Sequence, residues 1–218
     1  HGQPQLSIAH TLRDEIVSMP MASSVTIFDA VIKTELSRLE DEVKKLKENA
    51  NAIALTNSVI DNLIIRIETI IVDTQNNIDS FHLDLPAAHS LIKELNCLST
   101  KANGLAKDIA FTIEKLLKKT ESTTGEVNIL INKVVLMPNE SENPQVSRFL
   151  DDFDQASKLS NILALEQAEL AQDVKIMLNQ LSDIAKDTNL KSQCIVNSMR
   201  DISKTKENEE IKAAKQHD

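Results

Sequence analysis

Apolar side chains recur every three then four residues along most of the stretch from Met21 to Leu85, which contains neither glycine nor proline. A strand would repeat its apolar positions every second residue, so this spacing predicts one long helix or two helices in tandem. The repeat forms one apolar seam, a stripe along one helix face, with polar interruptions at Asn57 and Thr74. Because such a seam is unstable in water by itself, the stretch also predicts partner helices.

Two further segments, 87–137 and 145–218, carry seams with the same spacing. Pro86, Pro138 and Pro144 separate the three segments, and proline commonly marks a helix start or a loop. Three heptad-patterned segments joined by short connections predict an all-α fold, an elongated antiparallel helical bundle with up-down-up topology.

An alternative bundle divides these segments into five or six shorter helices. The breaks would fall at three polar points in the pattern: 49–51, 120–125 and 187–189. Gly104 lies inside the second segment, where glycine destabilises a helix by about 1 kcal/mol relative to alanine. We expect a close approach of a neighbouring helix to explain that glycine.

The same pattern predicts the domain organisation. Residues 1–20 form an N-terminal extension with a short helix, and 21–205 form a single bundle domain. Residues 206–218 are mostly Lys, Glu, Asn and Ala, which predicts a frayed polar tail.

Composition excludes several classes of function. The net charge of −9 is opposite to the basic surface that nucleic acids and anionic membranes require. Aromatic residues make up only 2% of the chain, which suits interdigitated aliphatic helices better than an aromatic ligand pocket. The apolar runs fall far short of the roughly 20 residues that a membrane span needs.

Several features favour a secreted, extracellular protein. The sequence begins at His1 rather than methionine, as a mature chain does after removal of a signal peptide. Cys97 and Cys194 are an even pair that predicts one disulfide bond, and Asn139 lies in an N-glycosylation sequence between Pro138 and Pro144. Pairing the helices from that loop places Cys97 opposite residue 185, so the disulfide requires a break near Thr188 or a longer start to the third segment. The alternative is two buried thiols that act as small hydrophobic side chains.

Candidate catalytic chemistry is sparse. His82, Asp84 and His89 surround a predicted turn, where polar side chains usually cap helices, and no fourth metal ligand is suitably spaced. The acidic residues of 151–154 lack the glycine and the alternating ligands of a calcium loop. No glycine-rich phosphate loop or nucleophile motif is present, so we expect neither an enzyme nor a bound metal or cofactor.

Two groups of residues are candidates for contact with a partner protein. Phe28, Phe149 and Phe153 should meet at one end of the bundle, where they either close the core or form a recognition patch. The second group is the most basic part of the chain and consists of Lys101, Lys107, Lys115, Lys118 and Lys119. Such lysines form a solvated face or a docking site for an acidic partner.

These observations favour a secreted, non-enzymatic helical protein that binds another protein through its surface or loop end. An alternative is a carrier of fatty acid, lipid or another small apolar ligand, with Asn57, Gln167 and Lys191 lining or gating its cavity. A second alternative is an intracellular coiled-coil scaffold that dimerises through the seams.

Overall fold

The fold is entirely helical in the part of the chain that this computed structural model describes, residues 21–80, 86–135 and 143–216. Four helices follow one another: α1 (Met21–Ala54), α2 (Thr56–Ser80), α3 (Pro86–Val135) and α4 (Asn143–Gln216). They form three long helical segments that pack as a bundle, which confirms the fold class predicted from the seams. The predicted N-terminal extension, 1–20, lies outside the described residues.

The first compact unit contains α1 together with Phe111–Val174 of α3 and α4. Each helix contributes its seam to one apolar core, which consists of Leu36, Leu39, Val43, Val127, Leu130, Ile131, Leu150, Phe153 and Ala156. Burial of each large aliphatic or aromatic side chain stabilises the folded state by about 1.5–3 kcal/mol. The heptad spacing therefore determines which face of each helix turns inward.

The second compact unit contains α2 together with the remaining parts of α3 and α4, Thr56–Ala110 and Lys175–Asp218. Its buried cluster consists of Ile78, Ala88, Leu95, Ile195 and Met199. Thr74 and Ser192 add a polar contact between α2 and α4, since their hydroxyl oxygens lie 2.7 Å apart. The seam that predicts α2 is therefore also used in packing, including at its polar interruption.

Of the three helix breaks predicted at polar points in the sequence, only the one at 49–51 lies near an interruption of the described helices. Leu55 separates α1 from α2, four residues beyond Asn51, and its N–H still donates to the Asn51 carbonyl at 3.2 Å. At the other two points α3 and α4 are continuous, and threonine hydroxyls there bond back to the preceding turn instead of interrupting it. Thr124 Oγ1 donates to the Thr120 carbonyl at 2.6 Å, and Thr188 Oγ1 donates to the Ile184 carbonyl at 2.8 Å.

A buried amide joins all three helices of the first unit. Gln167 on α4 is 5% exposed, and its Nε2 donates to the Leu46 carbonyl at 2.9 Å and to Thr120 Oγ1 at 2.8 Å. Its Oε1 is buried without a hydrogen-bond partner. The residue thus connects α4 to α1 and to α3, and retains one unsatisfied acceptor.

The last part of α4 continues as helix to Gln216, beyond the predicted start of the frayed tail. Every side chain from 203 to 216 is exposed. This end of α4 therefore lies against no other part of the described chain, as its polar sequence requires.

The explanation offered for Gly104 was wrong. A Cβ atom added at Gly104 or at Gly125 would meet no neighbouring atom within 4 Å. Neither glycine is therefore needed for close helix packing among the described residues.

We predict that Gly104→Ala and Gly125→Ala each stabilise the protein by up to about 1 kcal/mol, since alanine favours the helix and meets no obstacle. Urea denaturation of each variant would measure the change. A lower midpoint for either variant, with an unchanged slope, would show that its glycine is needed for packing.

We also predict losses of stability of different size for two changes at Gln167. Gln167→Glu should destabilise the protein by about 3 kcal/mol, since a carboxylate cannot donate to the Leu46 carbonyl and would be a buried, unpaired charge. Gln167→Leu should destabilise the protein less, by about 1 kcal/mol, because it leaves Thr120 Oγ1 without the amide but also removes the unsatisfied Oε1 and buries no charge. Equal losses in denaturation experiments would contradict this account of the amide.

Candidate functional site

An exposed aromatic and basic face lies on α3 in the first unit. Phe111, Lys115, Lys118 and Ser122 follow each other at spacings of four, three and four residues, so they line one side of the helix. The same part of α3 buries Ile113, Leu116 and Thr120 on its other side. Burial of the seam therefore leaves this face turned toward solvent.

The face contains a shallow groove of about 530 Å³. Its lining residues are Phe111, Glu114, Lys115, Lys118, Lys119, Ser122 and Thr123. We call this set the Phe111 patch. It combines one aromatic ring, three ammonium groups, one carboxylate and two hydroxyls along more than three turns of helix.

Phe111 is the apolar anchor of the patch, with 69% of its surface exposed. Phe153, the other phenylalanine whose side chain is described, is 6% exposed in the core of the same unit. An exposed phenyl ring does not stabilise the isolated fold, whereas aromatic residues are enriched where proteins bind one another. The position of Phe111 therefore favours a contact role.

The three lysines of the patch differ in their partners. Lys118 Nζ lies 2.9 Å from Glu114 Oε1 one turn away, an exposed pair that contributes little to stability. Lys119 Nζ lies 2.8 Å from Glu166 Oε2 and connects α3 to α4. Lys115 makes no ion pair with any residue in the described ranges. Its charge is therefore available to a ligand without the loss of an existing pair.

The patch extends toward α4 through an exposed apolar side chain. Ile162 lies one turn before Glu166 on α4 and is exposed, as is Leu165. Because Glu166 contacts Lys119, Ile162 is on the part of α4 that borders the patch. A partner that covers Phe111 and the lysines could therefore bury further apolar surface beside them.

The basic region predicted from the sequence is divided between the two units. Lys115, Lys118 and Lys119 accompany Phe111 in the first unit, whereas Lys101 and Lys107 belong to the second. Lys101 lines another groove, of about 490 Å³, together with Asp108 and Asp183. Because this groove belongs to the second unit, we do not include Lys101 in the patch.

Sequence reasoning identified the lysines of the patch but not its aromatic residue. Phe111 lies outside the seam of α3, since the buried positions around it are Ile109 and Ile113. An aromatic residue outside the seam of a long amphipathic helix is a usable signal, because the helix geometry turns it toward solvent. The prediction from the sequence instead names Phe28, Phe149 and Phe153, which the up-down-up arrangement places at the end with the loop between Pro138 and Pro144.

The three phenylalanines predicted as a partner site have different outcomes. Phe153 packs in the core of the first unit, so core packing is the role in which the structure uses it. Phe28 lies in α1 and Phe149 in α4, and their side chains fall outside the described residues. Asn139, the predicted glycosylation site, also lies outside them.

The predicted disulfide bond is not formed. Cys97 and Cys194 are free, exposed thiols. The ion pair between Glu94 on α3 and Lys191 on α4, 3.8 Å long, sets the register of these antiparallel segments. Cys97, three residues after Glu94, then lies opposite 188, and six residues separate 188 from Cys194. This offset is about 9 Å along the helix axis, beyond the roughly 7 Å limit for Cα atoms in a disulfide.

Two of the residues proposed to line a carrier cavity make structural bonds instead. Gln167 joins three helices, and Lys191 donates to both carboxylate oxygens of Asp187 at 3.2 Å besides approaching Glu94. Asn57 is exposed on α2. None of the three lines the grooves described above.

Two further kinds of site, a metal centre and a membrane-spanning helix, concern the described ranges. No group of three His, Cys, Asp or Glu side chains there is arranged to hold a metal ion. Of the three residues around the predicted turn, His89 is exposed on α3, whereas His82 and Asp84 lie outside those ranges. No helix among the described residues combines the length and apolar character needed to cross a membrane.

Comparisons with protein families, with curated proteins and with solved structures find no match for this chain. The functional argument therefore depends on the geometry and charge of its own surface.

We predict that both cysteines of the native protein react with a polar maleimide reagent, because both thiols are exposed and free. Mass spectrometry of protein purified without reductant should find two added labels per chain. Labelling that requires a reductant would indicate a disulfide, and labelling that requires denaturant alone would indicate buried thiols.

Proposed function

We propose that this protein is a non-enzymatic helical protein that binds an acidic segment of another protein through the Phe111 patch. The single observation that supports this proposal is the combination of an exposed phenyl ring with Lys115, Lys118 and Lys119 on one groove. Although Lys118 and Lys119 are paired with Glu114 and Glu166, the three lysines outnumber these two carboxylates, whereas the whole chain has a net charge of −9.

The partner that fits is a segment with carboxylates spaced around an apolar side chain. The apolar side chain would cover Phe111, and the carboxylates would accept hydrogen bonds from the lysines. Exposed charge pairs contribute about 0.2–1 kcal/mol each, whereas a buried aromatic anchor contributes 2 kcal/mol or more in typical interfaces. We therefore assign most of the affinity to Phe111 and most of the preference for acidic partners to the lysines.

The alternatives remain predictions from the sequence. Binding of an apolar ligand is less well supported, because Gln167 and Lys191 serve in bonds between helices. Dimerisation through the seams is less well supported for a related reason, since the seams are used within each unit. The extracellular location is likewise a prediction, to which the free thiols add no support.

We predict that charge reversal in the patch weakens binding of an acidic peptide. A suitable probe is a fluorescein-labelled helical peptide with glutamates around a leucine stripe, measured by fluorescence anisotropy at about 50 and 150 mM salt. Lys115→Glu/Lys118→Glu should weaken binding at least tenfold, and Phe111→Ala should weaken it by a similar factor. Binding by the unaltered protein should be tighter at the lower salt concentration, because salt screens exposed charges.

The matched control is Lys101→Glu/Lys107→Glu, which changes the net charge by the same amount on the same helix. It should bind the peptide with less than a threefold change. Equal losses in the two double variants would mean that overall charge, rather than the patch, attracts the peptide. Absence of binding by the unaltered protein would refute the proposal.

A further inference from the structure

A second exposed stripe runs along α2 in the second unit. It lies directly opposite the buried positions Ile60, Ile67 and Thr74, and we call it the outward face of α2. All of its members are exposed and uncharged: Ser58, Asn62, Ile65, Thr69, Val72 and Asn76. Their spacing of four, three, four, three and four residues is that of a helix-packing seam.

The corresponding surface of α1 has a different composition. Opposite its buried residues Leu39 and Val43, α1 exposes Asp41, Lys45 and Glu48. A face that meets only water is normally charged in this way. The absence of charge from six successive positions on α2 therefore suggests that this face meets another surface.

Two apolar side chains lie at the centre of the outward face and are flanked by asparagines. Ile65 is 60% exposed and Val72 is 55% exposed. In the repeat, Asn62 precedes Ile65 and Asn76 follows Val72. In helix pairs, apolar residues supply the affinity, and an asparagine in the seam fixes the register of the partner. The composition thus fits a docked helix better than a membrane surface.

Charged residues of α2 lie along the two edges of this face. One edge has Asp61, Glu68 and Asp79, and the other has Arg66 and Asp73. Edge charges next to a helix-packing seam form pairs with the partner helix and select which partner binds. With four acidic residues and one basic residue here, the complementary partner has basic edges.

We infer that the outward face of α2 docks an amphipathic helix of a partner protein, with apolar residues along its centre and lysine or arginine along its edges. A second copy of this chain is a poorer occupant. It would bring the same predominantly acidic edges together, and each chain already has a net charge of −9. This inference concerns a surface separate from the Phe111 patch and does not depend on it.

The test uses two synthetic helical peptides of about 25 residues with the same isoleucine and asparagine seam. One peptide has lysine at its edge positions and the other has glutamate. Fluorescence anisotropy should detect saturable binding of the lysine peptide, at least tenfold tighter than binding of the glutamate peptide. Ile65→Ser/Val72→Ser should weaken binding of the lysine peptide at least tenfold without loss of helicity by circular dichroism, since both side chains are exposed.

Charge-reversal variants distinguish specific docking from general attraction. Glu68→Lys/Asp73→Lys should reverse the preference in favour of the glutamate peptide. Asp41→Lys/Glu48→Lys changes the net charge equally but on α1, and it should keep the preference for the lysine peptide. Ile129→Ser, which removes an exposed isoleucine from the first unit, should bind like the unaltered protein.

Three results would overturn the inference. The first is absence of binding by the lysine peptide. The second is an equal change in peptide preference after charge reversal on α1 and on α2. The third is a mass of two chains by light scattering for the unaltered protein and of one chain for Ile65→Ser/Val72→Ser. The last result would identify a second copy as the occupant.

Discussion

Polar side chains within the apolar seams restrict how the helices of this protein align. Seams of leucine, isoleucine and valine also pack when one helix slides by a heptad, about 10 Å, because the same types of side chain meet again. The amide of Gln167 removes this freedom in the first unit, since its Nε2 needs both the Leu46 carbonyl and the Thr120 hydroxyl. A shifted helix would leave that buried donor without its partners.

The second unit has its own pair of such contacts. Thr74 meets Ser192 between α2 and α4, and Lys191 meets Glu94 between α4 and α3. Each unit has one ion pair that joins α3 to α4: Lys119 with Glu166 in the first unit and Glu94 with Lys191 in the second. Once the helices of a unit are aligned, the positions that remain outside are fixed as well. Each proposed binding surface is therefore a consequence of the alignment within its own unit.

Much of the fold could be predicted from the sequence, because apolar periodicity reports directly on which helix face is buried. The predicted breaks were less accurate, since polarity at 120–125 does not reveal that the Thr124 hydroxyl will bond to the carbonyl one turn back. The prediction of a disulfide was wrong because it concerned residues distant in sequence, whose relative positions depend on a helix register that the seams alone do not determine. The sequence predicted the lysines of the Phe111 patch, because they cluster along the chain. It did not predict Phe111, which could be recognised only by its position outside the seam.

The alignment of the helices is the central claim, and the two native cysteines allow it to be measured. Cys97 on α3 and Cys194 on α4 both belong to the second unit, and both are exposed enough to accept nitroxide spin labels. With an axial offset of about 9 Å and an interhelical distance of about 10 Å, pulsed electron paramagnetic resonance should find one narrow distance of roughly 15–25 Å. A distance beyond about 35 Å, or two populations separated by about one heptad, would contradict this alignment of α3 with α4 in the second unit.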